Sequence, residues 1–453
     1  MKTRHKRHLR AMTAAGTGLL CALSLSAHAE TADGAGEAAQ AQTQTVAAPA
    51  TVPNAFDGKT LLGDMGFRSD WAARGITVKG DYVGELMQVT SGGLEQSASY
   101  IHQMRVTVDF DMKKLAGWDS GGFHFLLNDR RGETTTTLDH VGNRLFIQEA
   151  AGGTYSRIVE ASFDYTLKNG TTYLKAGYYP MGNGYAVQAL GTTFVNAAFC
   201  AHPLSLSGNS GWYNYPNARW GAEVMQTVTP ELKIRTGVFQ VNPELGRKEN
   251  AYNPFGGDTT GYLYPIEFTW TPFSKTAYPG NHKFGAYYED STASRRGEAG
   301  TEDRRFGYWY MGEQKIFAEK ANPKRGLTVF AQYLTHDKET SQIWKWYGLG
   351  GVYQGTFKGR DNDKVSVGWI KADINERMVA QQRQALITNG VPLSDPRYKL
   401  SMAEELWEVS YSYQVNPWLI IRPDIQYIKN PGTYSFRQTK DATVIGIQVR
   451  AAL

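Results

Sequence analysis

The amino-acid sequence predicts an all-β fold, a transmembrane antiparallel β-barrel of about 16 strands with short turns at one end and long loops at the other. Three observations lead to this prediction. Segments that alternate between polar and apolar side chains recur along the chain. No apolar run beyond the N-terminal region approaches the roughly 18 residues of a membrane-spanning helix. A mean hydropathy of −0.44 is combined with 26 Tyr, 19 Phe, 11 Trp and 48 Gly, which suits strands that show lipid only every second residue.

The N-terminal segment at 1–29 predicts a secretory signal. Five basic residues and no acid precede a small, apolar run at 11–26, and an Ala-His-Ala cleavage pattern follows at 27–29. The run is too short to cross roughly 30 Å of hydrocarbon as an anchor. We therefore expect export towards the bacterial outer membrane.

Cleavage would leave an electrically neutral mature chain. The signal holds five of the 48 basic residues, so 43 would remain against 43 acids, a balance that does not suit nucleic-acid binding. Cys200 would be the only cysteine left, which excludes an internal disulfide. Residues 30–56 are rich in Ala, Gln and Thr and predict a flexible periplasmic linker before a barrel domain at 57–453.

A short helix is expected just before the first strand. Asp64 is placed to cap it, and Phe67 and Trp71 would share one of its faces. Gly75 would end the helix, and Ile76 would begin the strand.

Period-two alternation identifies the strands themselves. Trp407 and Val409 fall on one face of their segment, whereas Glu408 and Ser410 fall on the other. We expect strands to begin near residues 76, 98, 121, 157, 171, 218, 231, 262, 281, 304, 326, 345, 364, 403, 418 and 441.

The links between these strands alternate in length. Those after even-numbered strands are mostly short, and those after odd-numbered strands are mostly long. Short periplasmic turns, long extracellular loops and an even strand count are typical of outer-membrane barrels, and they favour a barrel over a soluble sandwich or propeller. The long links lie at 131–156, 180–217, 242–261, 290–303, 375–402 and 429–440.

If the apolar faces meet lipid, the polar faces line the lumen with charges of both signs. A lumen dominated by one sign would select ions, whereas a balanced lumen is compatible with neutral polyhydroxyl solutes. For any single charge, we favour the alternative of a cross-strand ion pair that stabilises the wall. The expected inward charges are Lys79, Asp81, Glu85, Arg105, Asp109, Arg130, Glu160, Asp164, Lys175, Lys233, Arg235, Glu267, Glu408, Arg422, Asp424 and Arg450.

Several separated motifs resemble the OprB-type carbohydrate-selective porins, from about Leu61 to the C-terminus. Their order and spacing together carry the resemblance. The motifs are LLGDMGFRSDWAARGIT at 61–77, Arg130-Arg131-Gly132, VGNRLFIQEAAGG at 141–153, LKAGYYPMGNGYA at 174–186, FVNAAFCAHP at 194–203, NYPNARWGAEV at 214–224, TGVFQVNP at 236–243 and WLIIRPDIQYIKNPG at 418–432.

The resemblance implies a monomeric barrel with a narrow eyelet, through which sugars diffuse down their gradient without a cofactor. The implied partners are small carbohydrate solutes, outer-membrane lipid and, during biogenesis, the barrel assembly machinery. Two features depart from the family. Thr192 and Thr193 stand where relatives often carry a second Cys, and the chain ends in Leu453 rather than an aromatic residue, although alternation still directs Leu453 to lipid.

The candidate eyelet follows from the same resemblance. Trp212, Tyr213 and Tyr215 could stack on sugar rings, or could equally serve the interfacial girdle or loop packing. Loose contacts of hydroxyls with charged and aromatic side chains would speed permeation without trapping the solute. The eyelet candidates are Arg130, Arg131, Gln148, Glu149 and Tyr155, and other residues expected along the path are Arg105, Glu160, Lys175, Trp212, Arg422 and Asp424.

Functions other than a sugar porin are less well supported. A barrel enzyme of lipase or protease type would need a nucleophile, base and acid together, but no G-x-S-x-G motif accompanies His102, His124 and His140. No Cys/His set has zinc-ligand spacing, and the glycine-rich segment from Gly348 has no helix after it to bind a dinucleotide. A structural barrel with a plugged lumen and a porin for small non-sugar acids are also compatible with the sequence.

Overall fold

A computed structural model describes residues 60–133, 139–150, 153–199 and 202–453. Sixteen strands form one closed antiparallel barrel, in which successive barrel strands are neighbours and the first pairs with the last. The predicted signal, the linker and Cys200 lie outside the described residues. Within the described ranges, no helix is long and apolar enough to cross a membrane.

The strand bounds confirm the predicted barrel. The largest error in a strand start is at the eleventh barrel strand, which begins at Asn322 rather than near 326. The barrel strands are β1 (Ile76–Gly93), β2 (Ala98–Asp111), β3 (Gly122–Gly132), β4 (Ser156–Thr166), β5 (Thr172–Tyr179), β6 (Arg219–Thr229), β7 (Leu232–Val241), β8 (Gly261–Trp270), β9 (Gly280–Glu289), β12 (Arg305–Glu319), β13 (Asn322–His336), β14 (Ile343–Gln354), β15 (Lys364–Ile374), β16 (Ala403–Asn416), β17 (Leu419–Lys429) and β18 (Lys440–Ala452).

The links contain the remaining elements. A small hairpin between β9 and β12 is too short for alternation to reveal from sequence. The hairpin consists of β10 (Ala293–Ser294) and β11 (Thr301–Glu302). The α-helices are α1 (Arg68–Ala73), which precedes the barrel, and α2 (Met112–Ala116), α3 (Leu204–Asn209) and α4 (Glu376–Thr388), which lie in links.

The polar faces of the strands point inward, as alternation predicts. On β16, the side chains of Trp407 and Val409 are 49% and 50% exposed on the outer surface, whereas Glu408 and Ser410 are 1% and 2% exposed. Apolar residues on the outside and polar residues on the inside are the arrangement of a barrel surrounded by lipid.

The helix before the barrel forms close to where it is expected. The Asp64 carboxylate accepts a hydrogen bond from the N–H of Ser69 at 2.7 Å, in the first turn of α1. The rings of Phe67 and Trp71 lie 4.8 Å apart. Gly75 adopts a φ of +100°, a left-handed conformation that ends the helix and that a side chain would strain.

The lumen is partly filled by the long link at 180–217, the inserted loop. Its Phe194 and Phe199 stack 4.2 Å apart, and both meet Phe330 of β13 edge-on. Its Trp212 packs 5.5 Å from Trp309 of β12. The described part of this long link therefore lies inside the lumen.

Candidate pore constriction

Four buried arginines, the arginine belt, line one side of the inner wall: Arg105 on β2, Arg130 on β3, Arg422 on β17 and Arg450 on β18. Strand register groups them, because Arg450 is level with Val83, Val83 with Gln103 and Gln103 with Arg130. Arg105 and Arg422 lie two residues from that row on their own strands. The barrel therefore gathers residues from both ends of the chain.

The belt holds a carboxylate, Glu149, on the inserted segment at 139–150. Arg450 donates to both oxygens of Glu149, at 2.9 and 3.2 Å, and Gln448 donates at 3.2 Å. Glu85 on β1 fixes this segment by accepting the N–H groups of Glu149 at 3.3 Å and Ala150 at 3.0 Å. Glu149 is thus a paired and immobilised charge within the lumen.

Tyr215, near the end of the inserted loop, contacts two arginines of the belt. The guanidinium carbons of Arg105 and Arg130 lie 5.4 and 5.5 Å from the centre of its ring, within cation–π range. Its hydroxyl is buried without a hydrogen-bond partner among the described residues. Arg130, which faces Tyr215, is level with Arg450, the partner of Glu149, so the loop, the inserted segment and the wall meet at one place.

A second set of wall charges, on β8, β9, β12 and β16, also holds the inserted loop and segment. Each member of this set, the anchoring glutamates, accepts backbone N–H groups. Glu408 binds Val195 at 2.7 Å and Asn196 at 3.0 Å. The others are Glu267 with Ala186, Glu289 with Gly211, Glu313 with Leu190, and Glu404 with Arg144 and Leu145.

On strands β1 to β7, most inward acids other than Glu85 instead pair with a base on a neighbouring strand. Arg105 donates to Asp81 at 2.6 Å, and Lys175 donates to Glu160 at 2.7 Å. Arg235 lies 3.6 Å from Glu223. The favoured interpretation of the lumen charges as cross-strand ion pairs therefore holds for these pairs. It is wrong for Glu85 and Glu408, whose carboxylates bind backbone N–H groups. Glu267 combines both roles, since Lys283 on β9 lies 3.7 Å from its carboxylate.

Three of the predicted path residues lie away from the belt. Arg131 occupies the outer face of β3, with 55% of its side chain exposed and Asp129 at 2.8 Å, because adjacent strand residues point to opposite sides. Tyr155 donates to the carbonyl of Gly246 at 2.8 Å, in the link after β7. Trp212 is only 1% exposed inside the loop packing, so no face of its ring is open to a sugar.

The other predicted residues face the lumen. Gln148 is buried next to Glu149 on the inserted segment. Asp424 is 3% exposed on the inner face of β17 and accepts from Gln426 at 2.8 Å. Arg422 donates to Ser412 at 2.8 Å and to Gln448 at 2.6 Å, which joins β16, β17 and β18.

Sequence reasoning missed Gln448 and three of the anchoring glutamates, Glu289, Glu313 and Glu404. The glutamates carried a usable signal, since each is an acid at an inward position of a strand. The sequence does not show which part of the loop each glutamate binds.

The three histidines considered for a barrel enzyme do not come together. His124 lies between Asp109 and Asp164 in the lumen. His102 packs beside tyrosines of the outer face, and His140 binds Ser97 near a loop.

Comparison with known proteins gives consistent findings. The family described as "Carbohydrate-selective porin, OprB family" matches residues 95–453. Porin B of Pseudomonas aeruginosa is 29% identical over 429 residues, which cover 89% of this chain and 93% of that protein. The putative porin QuiX of Acinetobacter baylyi is 27% identical over 432 residues, with coverages of 88% and 95%. The high-pH structure of Pseudomonas putida OprB has a TM-score of 0.81 and 26% identity, and the match covers 87% of this chain and 99% of that one.

Proposed function

Because the chain belongs to the OprB family of carbohydrate-selective porins, we propose that sugars cross its barrel beside the arginine belt, between Tyr215 and the Glu149–Arg450 pair. As a member of that family, it is an outer-membrane porin for carbohydrates, and porins are not a class of enzyme. The observation that carries the proposed path is the position of Tyr215, which brings the inserted loop against the belt that also holds Glu149.

The chemistry of this place suits a neutral polyhydroxyl solute. Guanidinium groups offer only donors, Glu149 offers only acceptors, and a sugar hydroxyl is both. The groups are held in position by the wall, so a passing sugar does not have to order them. Each contact is single and exchangeable, as passage through a pore requires.

Single-channel recording with a Tyr215→Ala variant tests the path. Removal of the ring should widen the narrowest section, so conductance should rise and uptake of a sugar larger than a hexose should increase. Tyr213→Ala is the matched control, because Tyr213 stacks on Arg219 outside the belt at 3.0 Å. Unchanged conductance in Tyr215→Ala would place the constriction elsewhere, and a barrel that does not conduct would support a structural barrel with a plugged lumen.

Two further parts of the proposal concern the mature protein. Residues 1–29 act as a cleaved signal, and the barrel assembly machinery inserts the chain as a monomer. A single chain supplies the belt, the inserted segment and the loop, which supports the monomer. Intact mass after purification from membranes should correspond to a chain that begins at Glu30, and native mass spectrometry should show one copy.

A further inference from the structure

A cavity of about 480 Å³ lies below the inserted loop, at the barrel end that carries the short turns. Arg422 reaches it from the belt, and Lys324 and Lys364 line it from β13 and β15. Hydroxyl and amide side chains, such as Thr193, Ser412 and Gln414, complete the lining, which contains no carboxylate among the described residues. We call this cavity the basic vestibule.

The cations of the vestibule keep donors unused. Lys364 makes no hydrogen bond or ion pair with the described residues through its ammonium group, and Lys324 makes none either. Arg422 uses Nε for Ser412 and Nη1 for Gln448, which leaves Nη2 without a protein partner in the described part of the chain.

The carboxylates around the vestibule are committed to other partners. Glu313, on the inner face of β12, accepts the N–H of Leu190 at 2.7 Å. Asp363, in the adjoining turn, accepts from Arg360 at 2.8 Å and from the N–H of Gln414 at 2.9 Å. On the far side of Arg422, Glu149 is paired with Arg450, Glu408 binds loop backbone, and Asp424 binds Gln426. The cavity itself therefore presents positive charge.

We propose that the vestibule binds the carboxylate of acidic sugar derivatives, so that the pore passes polyhydroxy carboxylates such as aldonic acids as well as neutral sugars. Unpaired ammonium and guanidinium donors are the groups that bind a carboxylate, and the neutral polar lining suits the hydroxyls of the same solute. The volume is in the range of small-molecule sites, roughly 300–1,000 Å³. The proposal rests on the proposed pore function, since the solute must first pass the belt.

Proteoliposomes that contain the full barrel provide the test, with radiolabelled gluconate and glucose as solutes. Lys364→Gln should lower gluconate flux roughly three- to tenfold and leave glucose flux within about twofold, because only the charged solute loses a partner. Lys364→Arg should retain gluconate flux. Lys79→Gln is the matched control, because Lys79 lines the lumen on β1, is paired with Asp109 at 2.9 Å and lies outside the vestibule, so both fluxes should stay unchanged.

Each outcome has a separate meaning. Glucose flux without gluconate flux in the parent protein would overturn the vestibule proposal and leave the pore function intact, whereas flux of neither solute would overturn the pore function. Equal loss of both solutes in Lys364→Gln would show a structural role for Lys364 and overturn its role in binding the carboxylate. Passage of glucose 6-phosphate with exclusion of gluconate would assign the vestibule to phosphate and overturn the choice of carboxylate.

Discussion

The two halves of the barrel wall use inward charges in different ways. From β1 to β7, most inward acids pair with bases on neighbouring strands, as Asp109 does with Lys79 and Glu160 with Lys175. Glu85, which accepts N–H groups of the inserted segment, is the exception. From β8 to β16, inward acids accept backbone N–H groups of the inserted loop and segment, as Glu267 and Glu408 do. The alternation of residues is the same in both halves.

The difference shows that the role of an inward charge depends on the group opposite it, which is either a charge on a neighbouring strand or the backbone of a loop. Where two wall charges pair in a partly exposed position, as Lys79 and Asp109 do, the ion pair contributes about 0–1 kcal/mol. Where a loop fills the lumen, its backbone N–H groups lose water and need acceptors, and a glutamate side chain supplies two acceptor oxygens. The acids from β8 to β16 therefore hold the inserted loop and segment in place against the wall.

The largest effect is expected on the outer face, where the two halves should behave alike. Val106 on β2 and Val409 on β16 are 46% and 50% exposed on that face. Replacement of either by Arg should cost roughly 2–4 kcal/mol if the site lies near the bilayer midplane, because a charge would enter lipid. Urea unfolding in lipid vesicles would measure the cost.

Thr107→Arg is the control for Val106→Arg, because Thr107 faces the lumen and its replacement should cost much less. Gly237 is unsuitable for the same purpose, since a Cβ there would lie 2.6 Å from the Ala222 carbonyl oxygen. Equal costs at Val106 and Thr107 would contradict the assignment of faces. Unequal costs at Val106 and Val409 would extend the difference between the halves to their outer surface.

An intermediate effect is expected from an anchoring glutamate. Glu408→Gln keeps the side-chain volume but replaces one acceptor oxygen with an NH2 group. One of the two loop N–H groups would then face another donor and lose its hydrogen bond, so the free energy of unfolding should fall by about 2–3 kcal/mol. The loosened loop should also make single-channel current noisier.

Asp109→Asn is the corresponding variant in the half from β1 to β7, where inward acids pair with bases. It removes the acid that Lys79 and His124 share in a partly exposed position, with 25% of the Asp109 side chain accessible, and should cost about 1 kcal/mol or less. Comparable losses in the two variants would remove the distinction between the halves.

The smallest effects concern ion preference at the belt. Glu149→Gln leaves Arg450 without its carboxylate, so the reversal potential in a salt gradient should shift towards anions, more strongly at low salt where screening is weakest. Arg130→Gln should shift it the other way. Sugar flux should change only modestly, since an amide also binds hydroxyls. Unmoved reversal potentials in both variants would remove Arg130 and Glu149 from the constriction.

Much of the fold could be predicted because its determinants are local. Period-two alternation shows the strands and their two faces, and link lengths separate turns from loops, as the start of β1 at Ile76 illustrates. The same reasoning identified Arg105, Arg130, Arg422 and Asp424 as inward residues. The family resemblance, by contrast, proposed Arg131 for the eyelet, because its motif names both arginines and does not state which one points inward.

What only the tertiary structure decided is which inward residues meet. The sequence by itself determined the barrel, its inward and outward faces and the charge that the lumen holds, because each depends on residues a few positions apart. Arg450 and Arg130 stand in one row only because β18 pairs with β1 and closes the barrel. Trp212 packs against the wall and Tyr215 contacts the belt only because of the way the inserted loop folds inside the lumen. Such contacts join residues far apart in the chain, and the free energy that selects them exists only once the barrel has closed around the loop.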